Sequence, residues 1–69
     1  MKTEMTFAEI LNDIMIDRNL NQTQAAALIG VKPSQVSEWL NGKNTPNYFS
    51  LQAICKGLGV SGDVILGLK

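Results

Sequence analysis

The chain has 69 residues, of which 45% are hydrophobic, and its six basic side chains balance its six acidic ones. We expect a single domain over residues 1–69. A domain of this size buries only about 60% of the surface that its unfolded chain exposes. No apolar run approaches the roughly 20 residues of a membrane span, and the N-terminus lacks the apolar core of a secretory signal, so we expect a cytoplasmic protein without a membrane partner.

The residue inventory argues against an enzyme and against a metal site. The chain has no histidine and a single cysteine, Cys55, which excludes an internal disulfide and leaves no ligand set for zinc. It also lacks a nucleophile elbow and a glycine-rich phosphate loop. We therefore expect no catalytic residue, no cofactor and no small-molecule ligand, and we expect Cys55 to be a small core residue.

The first predicted helix begins after a short N-terminal segment. Residues 1–5 are expected to form a flexible arm. Thr6 is the predicted N-cap, and Glu9 stands three residues later, which is the spacing of a capping box. The apolar residues of this helix recur at helical spacing and predict one buried stripe. They are Phe7, Ile10, Leu11 and Ile14.

Two short helices joined by a tight turn are predicted in the middle of the chain. The first covers Gln22 to Ile29, with Asn21 as N-cap and Gln24 completing a second capping box. Gly30 ends it, because glycine readily takes the left-handed conformation that terminates helices. The second helix begins at Pro33, whose fixed φ and missing N–H suit the first helical position.

These two helices combine a shared interior with a polar outer face. The residues spaced to share the interior are Ala26, Ile29, Val31, Val36 and Trp39. We expect Ala26 and Gly30 to be small because two backbones approach closely there. The outer face of the second helix carries short hydrogen-bonding side chains, namely Ser34, Gln35, Ser37, Glu38 and Asn41. Such a face suits the reading of base edges in a major groove, and it also fits an ordinary solvated surface.

The C-terminal third predicts a loop and two further helices. Residues 43–46 have the composition of a loop, and Asn47 caps a fourth helix that Gly59 ends. The predicted inner face of this helix carries Tyr48, Leu51, Ile54, Cys55 and Leu58. A last short helix, capped by Ser61, extends from Gly62 to about Leu66. The sequence thus predicts an all-α fold, with five helices in one compact bundle.

The middle of the chain resembles the helix-turn-helix of the phage-repressor family (Cro/cI type, also called XRE). The family pattern of Gln, Ala, Gly, a β-branched residue and Trp falls on Gln22, Ala26, Gly30, Val36 and Trp39. Two flanking motifs also match, Asn-Gly-Lys-x-x-Pro at residues 41–46 and Leu-Gly-Val-Ser-x-Asp at residues 58–63. The resemblance covers residues 7–67 and implies a lambda-repressor-like domain with the helix-turn-helix at helices 2 and 3.

The resemblance also implies two sets of contacts with double-stranded DNA. The residues implied in base reading are Ser34, Gln35, Ser37 and Glu38. The residues implied in contacts with the sugar-phosphate backbone are Gln22, Thr23, Lys32, Asn41, Lys43, Asn44, Asn47 and Tyr48. Pro33 departs from the family, which often has a glutamine or arginine there, and it offers only apolar contact. Lys43 also fits an ordinary loop lysine, and Glu38 also fits a residue that pairs with Lys43 and never meets a base.

The function implied is that of a sequence-specific transcriptional regulator of phage or mobile-element type. We expect a repressor that binds a palindromic operator as a homodimer, with Ile65, Leu66 and Leu68 in the dimer interface. The alternative is a protein-interaction module that keeps the fold, such as an antitoxin, which the zero net charge favours slightly. Residues 1–20 carry two more acidic than basic side chains, and residues 21–60 carry two more basic than acidic ones. The small basic excess therefore lies with the proposed reading helices.

Overall fold

A computed structural model of the chain describes residues 6–65, and at residues 63 and 64 it describes the backbone alone. All regular structure in these residues is helical. The helices are α1 (Phe7–Asp17), α2 (Gln22–Ile29), α3 (Pro33–Leu40), α4 (Tyr48–Leu58) and the single turn α5 (Gly62–Ile65). The predicted all-α class is confirmed.

The described residues begin at the cap of α1 and end with the last residue of α5. The described residues contain four helices of at least eight residues and the one turn of α5. Because α5 stops at the last described residue, the full count of five helices stays a prediction. The expected arm over residues 1–5 lies outside the described residues, as do Leu66 and Leu68.

Both predicted capping boxes are present. At α1 the Thr6 hydroxyl accepts from the Glu9 N–H at 3.2 Å, and the Glu9 carboxylate accepts from the Thr6 N–H at 2.8 Å. At α2 the Asn21 amide oxygen accepts from the Gln24 N–H at 2.8 Å, and the Gln24 amide oxygen accepts from the Asn21 N–H at 3.0 Å. Each cap is worth about 1 kcal/mol, so the starts of α1 and α2 are determined by side chains within the same turn.

Glycine serves two different structural needs in this fold. Gly30 ends α2 at φ 92°, as predicted, but nothing lies within 4 Å of the position that a Cβ would take there. The expectation of a close backbone approach at Gly30 was therefore wrong, since only its conformation requires glycine. The close approach lies at Gly57 in α4, where a Cβ would stand 2.8 Å from the Leu28 carbonyl carbon and 2.9 Å from Ile29 Cα. Helix α4 thus crosses the end of α2 with no room for a side chain.

One hydrophobic core joins the helices. Helix α2 packs against α3 and α4, α1 packs against α3 and α5, and α4 packs against α5. The buried residues are Ile10, Leu11, Ile14, Met15, Ala25, Ala26, Ile29, Val36, Trp39, Ile54, Leu58 and Ile65. The edge of the half-buried Phe7 ring meets the Trp39 ring at a centroid distance of 6.2 Å. The interior predicted for the two middle helices is confirmed, with Val31 partly buried at its margin.

Tyr48 corrects the predicted inner face of the fourth helix. Its side chain is 69% exposed, whereas Ile54 and Leu58 are buried and Leu51 and Cys55 are partly buried. Tyr48 is the first residue of α4. Within residues 6–65 no helix combines the length and the apolar character needed to cross a lipid bilayer.

Candidate nucleic-acid interface

Helix α3 has one face in the core and one face on the surface. Val36 and Trp39, three residues apart, are 0% and 2% exposed and anchor the inner face. On the outside, Ser34 and Glu38 are exposed, and Gln35 and Ser37 are partly buried. All four residues predicted to read bases therefore reach the surface of a helix whose opposite side is held by the core.

The chain turns sharply where α3 ends. Gly42 takes the left-handed conformation at φ 73°, which glycine adopts without steric cost. Its N–H donates to the Trp39 carbonyl at 3.2 Å, and the Lys43 N–H donates to the Glu38 carbonyl at 3.0 Å. This pair of hydrogen bonds is a Schellman motif, which satisfies the last carbonyls of the helix. It directs the following loop back alongside the last turns of α3.

The loop and the outer face of α3 are linked by side-chain hydrogen bonds. Asn44 donates from Nδ2 to Glu38 Oε1 at 3.0 Å, and its Oδ1 accepts from Gln35 Nε2 at 3.4 Å. Asn41 Nδ2 donates to Ser37 Oγ at 3.4 Å. Three of the predicted base readers are thus in contact with two of the predicted backbone contacts. The described partner of the Glu38 carboxylate is an amide, in place of the Lys43 cation considered from the sequence.

Two helix N-termini leave backbone donors for an anion. In α2 the capping box uses the Gln24 N–H, and within residues 6–65 the N–H groups of Gln22 and Thr23 have no protein partner. In α4 the Asn47 amide oxygen accepts from the Ser50 N–H at 2.8 Å, and within residues 6–65 the N–H groups of Tyr48 and Phe49 have no protein partner. Free N–H groups and the helix dipole together favour a phosphate at such ends.

The remaining predicted backbone contacts are also on the surface. Lys32, Lys43 and Asn47 are exposed. Lys32 precedes Pro33 and makes no side-chain cap, so its cation is not committed to the start of α3. The hydroxyl of the exposed Tyr48 accepts from Gln52 Nε2 at 3.2 Å. All four of these residues are therefore open to solvent.

Phe49 is an exposed aromatic residue that was not predicted for the interface. Phe49 is 76% exposed, and its ring meets the Tyr48 ring at 5.9 Å in an edge-on arrangement. The signal was present, because position 49 does not fall on the helical stripe of Leu51, Ile54 and Leu58. The first turn of α4 therefore presents an aromatic pair beside the Asn47 cap.

The structure removes Ile65 from the predicted dimer interface. Its side chain is 2% exposed and belongs to the hydrophobic core, so the domain itself covers it. A residue in that position stabilises its own fold and offers no surface to a second chain. Of the three residues predicted for the interface, Leu66 and Leu68 are left, and both lie outside the described residues.

Two short helices joined by a glycine turn, with a polar outer face on the second, define a helix-turn-helix domain. A family model described as helix-turn-helix matches residues 11–65, which is most of the chain. The chain belongs to this family, in its Cro/cI (XRE) type. The family and the fold are those of DNA-binding transcriptional regulators.

Solved structures with the same fold include two of the P22 c2 repressor and one of a restriction-modification controller protein. The DNA-binding domain of the P22 c2 repressor, determined by nuclear magnetic resonance, superposes with a TM-score of 0.88 at 23% identity, over 96% of this chain and 87% of that one. The P22 c2 repressor in complex with synthetic operator 9T gives a TM-score of 0.81 at 23% identity, over 88% and 92% of the two chains. A point mutant of the restriction-modification controller protein C.Esp1396I gives 0.79 at 21% identity, over 90% and 80%.

A curated relative is closer in sequence. The chain is 37% identical over 62 residues to the HTH-type transcriptional activator BcrR of Enterococcus faecalis. The match covers 90% of this chain and 30% of the relative. The chain thus spans less than a third of the length of this relative.

Proposed function

We propose that this chain is a sequence-specific DNA-binding transcriptional regulator that reads bases with the outer face of α3. The observation that carries the proposal is the polar face of α3 opposite Val36 and Trp39, which are 0% and 2% exposed. Because the core holds that helix, the backbone that carries its outward side chains keeps a constant position relative to the rest of the domain. A rigidly held helix with hydrogen-bonding side chains is what readout in the major groove requires.

The proposed contacts divide by chemistry. Gln35 presents an amide, which can pair with adenine, and Glu38 presents a carboxylate, which can accept from the cytosine amino group. Ser34 and Ser37 can donate to or accept from several bases. The proposed contacts with the sugar-phosphate backbone are Gln22, Thr23, Lys32, Asn41, Lys43, Asn44, Asn47 and Tyr48. These contacts position the helix and carry no sequence information themselves.

The finer proposal is a homodimeric repressor on a palindromic operator in the cytoplasm. A single recognition helix reads only a few base pairs, and a two-fold dimer doubles that number with half-sites about one helical turn apart. Repression is proposed from the phage-repressor resemblance. The P22 c2 repressor is a repressor by name, whereas BcrR is named an activator. A reporter gene behind the selected operator would measure whether this chain lowers or raises transcription.

The deciding experiment is selection of bound sequences from a random pool of duplex DNA, followed by titration of the best sequence at several salt concentrations. We expect one enriched motif with inverted symmetry and an affinity that falls steeply with salt. Gln35→Ala should change the enriched motif, and Asn12→Ala, on the exposed side of α1, should leave it unchanged. Failure to enrich any motif would contradict the proposal. The zero net charge would then favour a module that binds a protein partner.

A further inference from the structure

Asn44 forms hydrogen bonds with two side chains of α3, Gln35 and Glu38, which are not hydrogen bonded to each other. Its Nδ2 donates to Glu38 Oε1 at 3.0 Å and its Oδ1 accepts from Gln35 Nε2 at 3.4 Å. The two ends of one amide are therefore occupied by two different candidate base readers. Because the Glu38 carboxylate only accepts, it determines that the Asn44 nitrogen faces it. The Asn44 oxygen then faces Gln35, where only the Gln35 nitrogen can donate to it.

The backbone places Asn44 where it can make both contacts. The left-handed Gly42, at φ 73°, turns the chain, and the Lys43 N–H is hydrogen bonded to the Glu38 carbonyl at 3.0 Å. Asn44 is the next residue, one step beyond a backbone already attached to α3. Its side chain therefore reaches the helix at a smaller entropy cost than a residue in a free loop would have.

The bridge leaves a defined set of free groups for a ligand. Gln35 keeps its amide oxygen and one N–H, which are the acceptor and the donor that an adenine edge needs. Glu38 keeps its second carboxylate oxygen as an acceptor for an amino group. With its Nε2 held by Asn44, the Gln35 amide no longer rotates freely, so its oxygen and nitrogen are distinguished before DNA arrives.

We infer that Asn44 is a positioning residue for base recognition, which orients Gln35 and Glu38 in the free protein. This inference rests on the proposed function for its consequence on DNA, but the orientation itself is a property of the unbound chain. It assigns Asn44 a role beyond the phosphate contact expected from the sequence. The Asn44 amide nitrogen keeps one N–H that can donate a hydrogen bond to a phosphate.

The first test needs no DNA. In the free protein, nitrogen relaxation of the side-chain amides should give Gln35 a higher order parameter than Gln22, which is exposed and has no side-chain hydrogen bond in the described structure. Asn44→Ala should lower the Gln35 value to that of Gln22, while the backbone values of α3 stay unchanged. Equal mobility of Gln35 and Gln22 in the unmodified chain would overturn the inference, whatever the DNA results are.

The second test compares three variants on the selected operator and on random DNA. Asn44→Ala should weaken operator binding by about 3- to 10-fold, the effect of losing one or two hydrogen bonds, and it should weaken random DNA binding by a smaller factor. The salt slope should stay unchanged because no charge is removed. Lys43→Ala serves as the phosphate-type comparison, and Asn12→Ala as the neutral one. If Asn44→Ala weakened both DNAs by the same factor, Asn44 would act only as a backbone contact and the inference would be wrong.

A double-mutant cycle shows whether Asn44 acts through its partner. In a Glu38→Ala background, Asn44→Ala should have a smaller effect on operator affinity than in the unmodified chain, because one of the two oriented groups is gone. Full additivity would overturn the positioning role. A chain that enriches no DNA motif would remove the proposed function, and the relaxation measurement would still decide the orientation of Gln35.

Discussion

At the scale of single residues, Glu38 is the most informative test of base reading. It is the only acidic residue between Asp17 and Asp63, and it stands on the face proposed to meet DNA. A carboxylate there repels phosphates, so its presence makes physical sense if it accepts from a cytosine amino group and penalises other bases. We predict that Glu38→Ala costs about 1–3 kcal/mol on the best operator and strengthens binding to random DNA.

The measurement for Glu38 is a pair of titrations and a repeated selection. Specificity should relax at one base pair in each half-site and hold elsewhere. If the variant enriched the same operator sequence as the unmodified chain, Glu38 would have no base partner. Its hydrogen bond with Asn44, at 3.0 Å, would then be its whole role.

Lys43 tests the phosphate contacts at the same scale. Its exposed cation directly follows the turn at Gly42, close to the end of α3. Lys43→Ala should weaken binding to operator and random DNA alike, and it should lower the log–log salt slope by about 1, because one counterion-releasing contact is lost. Loss on the operator alone, with an unchanged slope, would show that Lys43 does not contact the backbone.

At the scale of the helices, the crossing of α2 and α4 depends on Gly57. An alanine Cβ there would stand 2.8 Å from the Leu28 carbonyl carbon and 2.9 Å from Ile29 Cα, which are backbone atoms that cannot rotate away. Alanine favours a helix over glycine by only about 0.5–1 kcal/mol, less than the cost of the clash. We predict that Gly57→Ala lowers the free energy of unfolding by about 1–3 kcal/mol.

Chemical denaturation would measure this effect, and Gly62 provides the matched control. A Cβ at Gly62 meets nothing within 4 Å, and Gly62 is also helical. Gly62→Ala should therefore change stability by no more than about 0.5 kcal/mol. Equal effects at both positions would show that α2 and α4 are free to move apart.

At the scale of the whole molecule, the proposed dimer on an operator requires a contact between two copies of the domain. The core covers Ile65, so the proposed contact lies with Leu66 and Leu68, beyond the described residues. We predict that Leu66→Glu abolishes cooperative operator binding and leaves the far-UV helix signal intact. Ile65→Glu is the contrasting variant, since a charge in the core should unfold the domain. Sedimentation of a monomer on a complete operator at high protein concentration would refute dimeric binding.

The sequence alone determined the helix boundaries and the face that α3 presents. The bounds of α2 and the start of α3 agree with the prediction, because caps, the Gly30 terminator and Pro33 act within a turn or two of the chain. The burial of Val36 and Trp39 followed from helical spacing, since an amphipathic helix has one orientation that hides both. Features that depend on residues within one or two helical turns can therefore be predicted from a single sequence.

Only the tertiary structure decided which groups meet across the chain. The approach of α4 to α2 at Gly57, the burial of Ile65 and the outward position of Tyr48 depend on how helices pack, and spacing within one helix does not encode that. The bridge from Asn44 to Gln35 and Glu38 likewise joins residues nine and six positions apart across a turn. Residue types indicated a polar surface there, but the left-handed turn at Gly42 determines which of its atoms are already paired and which remain for DNA.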